Sequence, residues 1–139
     1  MDDLGYLADP ADRLGMLDGQ AIRAARVIVD IGAHLQLAIP DNPWGWRVGE
    51  TWDPDRMREF LTARTTMEPA YVHDEVNRYL GWPGQAISYK VGERLWLAAR
   101  ADAKARLGAG FDLKRFHQAA LDLGGMGLDP LAEELARLT

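Results

Sequence analysis

The sequence predicts an all-α fold, an irregular bundle of about five to six helices with one long loop rich in tryptophan and proline. Apolar residues recur at helical spacing along most of the chain. Three pairs each place an N-cap oxygen ahead of a proline suited to a first helical turn: Asp9–Pro10, Asp53–Pro54 and Asp129–Pro130. No segment alternates polar and apolar residues between hairpin turns, so little or no sheet is expected. A length of 139 residues fits a single helical domain.

The first half of the chain predicts three helices and the loop. The first helix is expected from Pro10 to about Gln36, and its apolar period consists of Leu14, Leu17, Ala21, Ala25, Ile28 and Leu35. The second follows Asp53 and contains Met57, Phe60 and Leu61. The third ends near Gly81 and is marked by Val72, Val76, Tyr79 and Leu80. Between the first two, residues 38–52 hold three of the five tryptophans, which we expect to seal helix ends rather than line a ligand groove.

The second half predicts three more helices. The fourth is expected to begin at Pro83 and to end at Gly108 and Gly110, with an inward face formed by Ile87, Val91, Leu95 and Ala99. Asp112 is the predicted N-cap of the fifth helix. A short last helix carries Leu131, Leu135 and Leu138.

Composition excludes several classes of function. A formal net charge of −5 and a pI near 5.1 argue against nucleic-acid binding, which requires a basic surface. No apolar run approaches the length of a membrane span, and no signal peptide is evident, so a cytoplasmic protein is expected. The absence of cysteine excludes a disulfide, a thiolate nucleophile and a cysteine-ligated metal.

Two groups of residues carry possible chemistry. Arg26, Asp30 and His34 follow one another at i,i+4 spacing, so that Asp30 can orient the His34 ring while Arg26 holds Asp30. The same stripe also fits a polar seam that pairs internally between packed helices. The fourth helix is expected to begin at Pro83, so Gln85 and Tyr89, four residues apart, share one of its faces and can donate hydrogen bonds to an oxyanion. A buried tyrosine that packs in the core explains Tyr89 equally well.

Familiar catalytic motifs are missing from the chain. The three histidines, at positions 34, 73 and 117, include no pair one helical turn apart, as a helical zinc site requires. Ser88 is the only serine and lies in no nucleophile elbow, and the glycines at 124, 125 and 127 form no phosphate loop. No complete catalytic set and no metal site are therefore expected here.

Five segments together resemble the C-terminal part of the bacterial domain of unknown function family 885. In order, they are RVIVDIGAH (26–34), RYLGWPGQA (78–86), YKVGE (89–93), FDLKRFH (111–117) and LDPL (128–131). The likeness covers essentially the whole chain. Members of that family are similar to zinc metallopeptidases with an all-helical fold like that of the thermostable carboxypeptidases.

The resemblance implies where a metal and a substrate would bind. The family's H-E-x-x-x-H zinc helix and its Glu-Gly-Trp segment precede the part matched here, so zinc is expected in a full-length relative and no cofactor in this chain. In such a relative, five residues are candidates to bind a peptide substrate or to steady a tetrahedral intermediate: Arg26, Asp30, His34, Gln85 and Tyr89.

Two hypotheses of different class follow. The first is the C-terminal helical portion of a zinc-dependent peptidase, which supplies one wall of the active-site cleft and is inactive alone. The second is a non-enzymatic helical interaction module, which self-associates or pairs with a separate N-terminal half because a bare cleft wall exposes apolar surface.

Overall fold

The structure is a computed structural model and describes residues 2–138. In that range six α-helices follow one another without a β-strand, which confirms the predicted all-α fold. They are α1 (Pro10–His34), α2 (Pro54–Arg64), α3 (Pro69–Gly81), α4 (Ser88–Leu107), α5 (Leu113–Asp122) and α6 (Leu128–Arg137). Two short 3-10 helices, Asp2–Leu4 and Gly108–Gly110, precede α1 and α5.

The chain divides into two compact units, Met1–Tyr89 and Lys90–Thr139. In the first unit α1, α2 and α3 pack on one another around a core that includes Val29, Met57, Leu61, Val72, Val76 and Tyr79. In the second unit a smaller core contains Ala103, Phe116, Ala120 and Leu135, with the Trp96 ring edge-on to Phe116 at 5.7 Å. Each unit therefore buries an apolar cluster of its own.

Aspartate caps start three of the helices as the sequence predicts. The Asp9 carboxylate accepts a hydrogen bond from the Ala11 N–H at 2.7 Å at the start of α1. Asp53 accepts from the Arg56 N–H at 2.8 Å at the start of α2, and Asp112 accepts from the Arg115 N–H at the start of α5. These bonds satisfy N–H groups that have no partner within the helix.

The predicted cap at Asp129 is wrong. Helix α6 begins at Leu128, and Gly127 occupies the N-cap position with extended backbone. Asp129 and Pro130 therefore lie inside the first turn, where proline is tolerated because the N–H it lacks would have no helical partner there.

We expect Asp112 and Asp129 of the second unit to differ in their effect on stability. Asp112→Ala removes a cap bond and should lower the free energy of unfolding by about 1 kcal/mol. Asp129→Ala, the matched control, loses only a favourable interaction with the helix dipole and should cost less than about 0.5 kcal/mol. Urea unfolding followed by circular dichroism measures both, and equal losses would contradict the assignment of the cap.

Helix α4 begins at Ser88, not at Pro83 as the sequence suggests. Residues 82–87 form a turn instead, because Gly84 has a φ of +78°, in the left-handed region that a right-handed helix does not use. Val91 of α4 is exposed, although the sequence predicts that it faces inward.

Two tryptophans of the 38–52 segment, Trp46 and Trp52, pack in the core of the first unit. Helix α1 ends at His34, two residues earlier than predicted, and Gln36 follows with a φ of +50°. Trp52 is 5% exposed, and its ring lies 5.5 Å from those of Trp46 and Phe60. Trp44, in contrast, is 58% exposed. This segment therefore closes part of the core and leaves one indole at the surface.

Candidate functional site

Asp30 is the buried polar centre of the first unit. It lies in α1 with 2% of its surface exposed, and its Oδ2 accepts a hydrogen bond from the Gly84 N–H at 3.1 Å. The turn at residues 82–87 presents that N–H to α1. The two sequence motifs singled out above therefore do meet, through a carboxylate and a backbone amide.

His34 is oriented by α1 itself. Its Nδ1 lies 2.8 Å from the backbone carbonyl oxygen of Asp30 and 3.5 Å from the Asp30 Oδ1. Because a carbonyl oxygen only accepts, we assign the ring hydrogen to Nδ1, which leaves Nε2 of the neutral imidazole as an acceptor. The predicted Asp30–His34 association is present, with the carbonyl group as the principal partner.

Two buried atoms of this pair lack a hydrogen-bond partner in the described part of the chain. They are Oδ1 of Asp30 and Nε2 of His34. Buried polar groups without partners cost free energy and are uncommon in native proteins. Two such atoms on neighbouring turns of one helix fit a site whose remaining hydrogen bonds come from another molecule or segment.

Arg26 does not hold Asp30, and this part of the prediction is wrong. Its Nη2 donates to the Glu75 carboxylate at 2.8 Å, and its Nε donates to the Tyr79 hydroxyl at 2.8 Å. Both partners lie on α3, which packs beside α1. Arg26 therefore links two helices of the core.

Glu75 gathers three donors in one network. Its carboxylate accepts from Arg26, from Arg78 at 2.9 Å and 3.0 Å, and from the Tyr79 hydroxyl at 2.6 Å. The hydrogen bonds from Arg78 and Tyr79, with the nearby positive charges, lower the pKa of Glu75 from 4.5 to about 2, although burial opposes the shift. Burial, reinforced by the bond to Glu75, raises the pKa of Tyr79 to about 12. Neither group exchanges a proton near neutral pH, so the network acts as a brace between helices.

Gln85 and Tyr89 are not side by side on one helix face. Gln85 belongs to the turn before α4, and its side-chain amide oxygen Oε1 accepts from the Arg78 guanidinium. Tyr89 lies in the first turn of α4, 56% exposed, with the Arg23 guanidinium 5.7 Å from its ring centre. The paired amide and phenol that the sequence suggests therefore do not form.

Several residues of this region were not among the predicted site residues. Glu75, Arg78 and Tyr79 are the network on α3, and the Gly84 N–H is the partner of Asp30. The i,i+3 and i,i+4 spacing of Glu75 with Arg78 and Tyr79 is a usable signal for the local bonds. No local pattern predicts that Arg26, 49 residues away, joins them.

The zinc implied by the resemblance does not fit the residues described. Among residues 2–138, no three His, Asp or Glu side chains lie close enough together to hold a metal ion. His34 and Asp30 lie close together but supply two donors at most. Among the helices of the same residues, none is long and apolar enough to cross a membrane.

Comparisons with known proteins identify the family. The family described as "Bacterial protein of unknown function (DUF885)" matches residues 1–135, and no curated protein matches the chain. A solved structure described as a "putative lipoprotein from Colwellia psychrerythraea" is similar, with a TM-score of 0.74 and 33% identity. The match covers 94% of this chain and 20% of that one, so this chain spans about a fifth of its length. With nearly all of its residues matched, the chain belongs to the bacterial family DUF885.

Proposed function

We propose that this chain is the C-terminal helical portion of a zinc-dependent, peptidase-like protein and forms one wall of its active-site cleft. The observation that carries the proposal is the Asp30–His34 pair, whose two buried atoms have no hydrogen-bond partner among the residues that the structure describes. The length of the Colwellia psychrerythraea protein, of which the match covers 20%, supports a role within a larger protein. Zinc ligands are expected outside the described residues, so the chain alone should be inactive.

His34 has the features of a group that binds a substrate or moves a proton. The bond from Nδ1–H to the Asp30 carbonyl holds one tautomer and one ring orientation. Nε2 then accepts a hydrogen bond from a bound peptide or takes up a proton. The neighbouring Oδ1 of Asp30 is a second acceptor, so the pair favours a ligand that donates N–H or O–H groups.

The other three predicted site residues take secondary roles in this proposal. Arg26 and Gln85 are engaged with Glu75 and Arg78 and would position the wall rather than touch substrate. Tyr89 is exposed and keeps its hydroxyl available to a ligand. Its contribution should be smaller than that of His34, because Tyr89 is exposed to solvent whereas Nε2 of His34 is buried.

A chimera tests the proposal. This chain replaces the matched segment of the Colwellia psychrerythraea protein, and peptide hydrolysis and zinc content are measured for the chimera and for the chain alone. We expect hydrolysis and bound zinc only in the chimera. His34→Gln should lower kcat/KM by about 100-fold, which is typical for loss of a general acid or base. His73→Gln is the matched control, because the His73 side chain is 60% exposed on α3.

Three results would contradict parts of the proposal. One tightly bound zinc per chain, or hydrolysis by the chain alone, would show that it is not merely a wall. An active chimera in which His34→Gln behaves like His73→Gln would remove the role of the histidine. Absence of hydrolysis by the unaltered Colwellia psychrerythraea protein would remove the peptidase assignment.

The second candidate function is a non-enzymatic interaction module, either self-associating or paired with a separate N-terminal half. It is favoured by large apolar residues left bare on α1, where Leu14 is 66% and Leu17 is 53% exposed. Sedimentation at high protein concentration tests self-association, and a single monomer without aggregation would count against it.

A cytoplasmic location remains a sequence-based proposal. The solved relative carries the word lipoprotein in its description, which favours a membrane-attached location for that protein. Fractionation of cells that produce this protein from its natural gene decides between the two.

A further inference from the structure

Helix α1 exposes a regular apolar seam. Five residues lie on one side of the helix at alternating spacings of three and four: Leu14, Leu17, Ala21, Ala24 and Ile28. All five are exposed, with Ile28 at 46%. This is the spacing with which one helix packs against another in a coiled coil. The α1 face that packs in the core is a different one, centred on Ala25, Val29 and Gly32.

The middle of the seam opens into a groove. A cavity of about 240 Å³ is lined by Ala21, Ala24, Ile28, Trp44, Phe60 and Arg64, among others. A second cavity of about 160 Å³ shares Ile28, Trp44 and Phe60 with it. The small alanines leave this space, and the exposed Trp44 ring forms its far side. Such a volume accepts a bulky apolar side chain, since about 15 Å³ already holds a water molecule.

Arg64 places a positive charge at the edge of the groove. Its guanidinium carbon lies 3.9 Å from the centre of the Trp44 ring. Its Nε is buried without a hydrogen-bond partner in the described part of the chain. A guanidinium held against an aromatic ring and short of acceptors favours a carboxylate partner.

We propose that the seam binds an amphipathic helix from the region that the longer solved relative carries outside the matched segment. That helix inserts a bulky apolar residue between Ala21 and Ala24 and places an acidic residue against Arg64. The solved relative, of which this match covers 20%, has ample chain to supply it. The inference rests on the proposed function in one respect, that the chain acts within a larger protein.

A second copy of this chain fits the seam less well. In a parallel pair in register each alanine faces itself, and in an antiparallel pair whose axis passes between Ala21 and Ala24 the two alanines face each other. Both arrangements leave the groove unfilled, and empty apolar space forfeits packing energy. A partner with a bulky apolar residue at this point fills the space that these two arrangements leave empty.

Thiol labelling tests the docking surface. The chain has no cysteine, so Ala24→Cys introduces a unique probe in the middle of the seam. Labelling of that peptide is followed by mass spectrometry in the chain alone and in the chimera with the Colwellia psychrerythraea protein. We expect labelling about tenfold slower, or more, in the chimera, because reactivity follows access to the thiol. Asp74→Cys is the control, since the Asp74 side chain is 82% exposed on α3, and its labelling should not change.

Arg64→Glu tests the charge at the groove. In the chimera with Ala24→Cys, this reversal should restore much of the labelling, whereas Arg64→Lys should restore little. If the chimera does not fold, cysteine is placed in the Colwellia psychrerythraea protein itself at the residue superposed on Ala24, with the same expectation.

The outcomes separate this inference from the proposed function. Equal labelling of Ala24→Cys in the chain and in the folded chimera overturns the docking surface. If labelling of the chain alone slows as the chain concentration rises, a second copy occupies the seam. This result also overturns the proposed docking surface. A chimera that protects Ala24→Cys yet hydrolyses no peptide contradicts the peptidase assignment only.

Discussion

Gly32→Ala should lower the free energy of unfolding by about 2–3 kcal/mol, because overpacking a tight core is costly. A Cβ atom added at Gly32 would lie 2.5 Å from Cδ1 of the Trp52 ring. That ring has little room to retreat, since Trp46 and Phe60 flank it with ring centres at 5.5 Å. Helix α1 and the tryptophan segment would have to move apart.

Gly15→Ala is the matched control in the same helix. A Cβ atom at Gly15 meets nothing within 4 Å, so the change should raise stability by about 0.5–1 kcal/mol through helix propensity alone. Urea unfolding followed by circular dichroism and tryptophan fluorescence measures both variants. Equal shifts of the two midpoints would show that Trp52 does not pack against Gly32.

Acidification should destabilise the first unit through Glu75. Its pKa falls from 4.5 in the unfolded chain to about 2 in the folded one. A lowered carboxylate pKa stabilises the fold above the unfolded value, and this stabilisation is lost as pH falls from about 4.5 towards 2. The difference corresponds to about 3 kcal/mol at neutral pH, and partial exposure of the side chain makes this an upper value.

Glu75→Gln should remove most of that pH dependence and also destabilise the protein at neutral pH. Urea unfolding at a series of pH values from 2 to 7 measures it. Glu59→Gln is the comparison: hydrogen bonds from Arg47 and Trp46 also lower the pKa of Glu59, but solvent screens that exposed group. An unchanged pH profile in Glu75→Gln would show that the network on α3 does not control acid stability.

Helix identity was predictable because its causes are local. Apolar spacing and the caps at Asp9, Asp53 and Asp112 act within one or two turns, and the structure has each of them. The predicted starts of α4 and α6 are wrong, and in both cases the cause is the backbone conformation of one glycine. Gly84 takes a left-handed conformation, and Gly127 takes the cap position that Asp129 was expected to fill.

The candidate site was predictable only in part. The side chains of Asp30 and His34 are adjacent because i,i+4 spacing in a helix determines their separation. Those of Gln85 and Tyr89 are not paired, since their predicted pairing depended on where α4 begins. The partner of Arg26 was missed because Glu75 approaches it only when α3 packs beside α1.

The sequence by itself determined the helical class, most helix boundaries and the Asp30–His34 pair, because interactions between near neighbours in the chain are enough to produce them. Only the tertiary structure decided that Asp30 binds the N–H of Gly84, 54 residues away. It also decided that Arg26 braces α3 and that the seam on α1 stays exposed. Those outcomes depend on which helix faces meet, and an apolar period predicts a packing face without saying what will cover it.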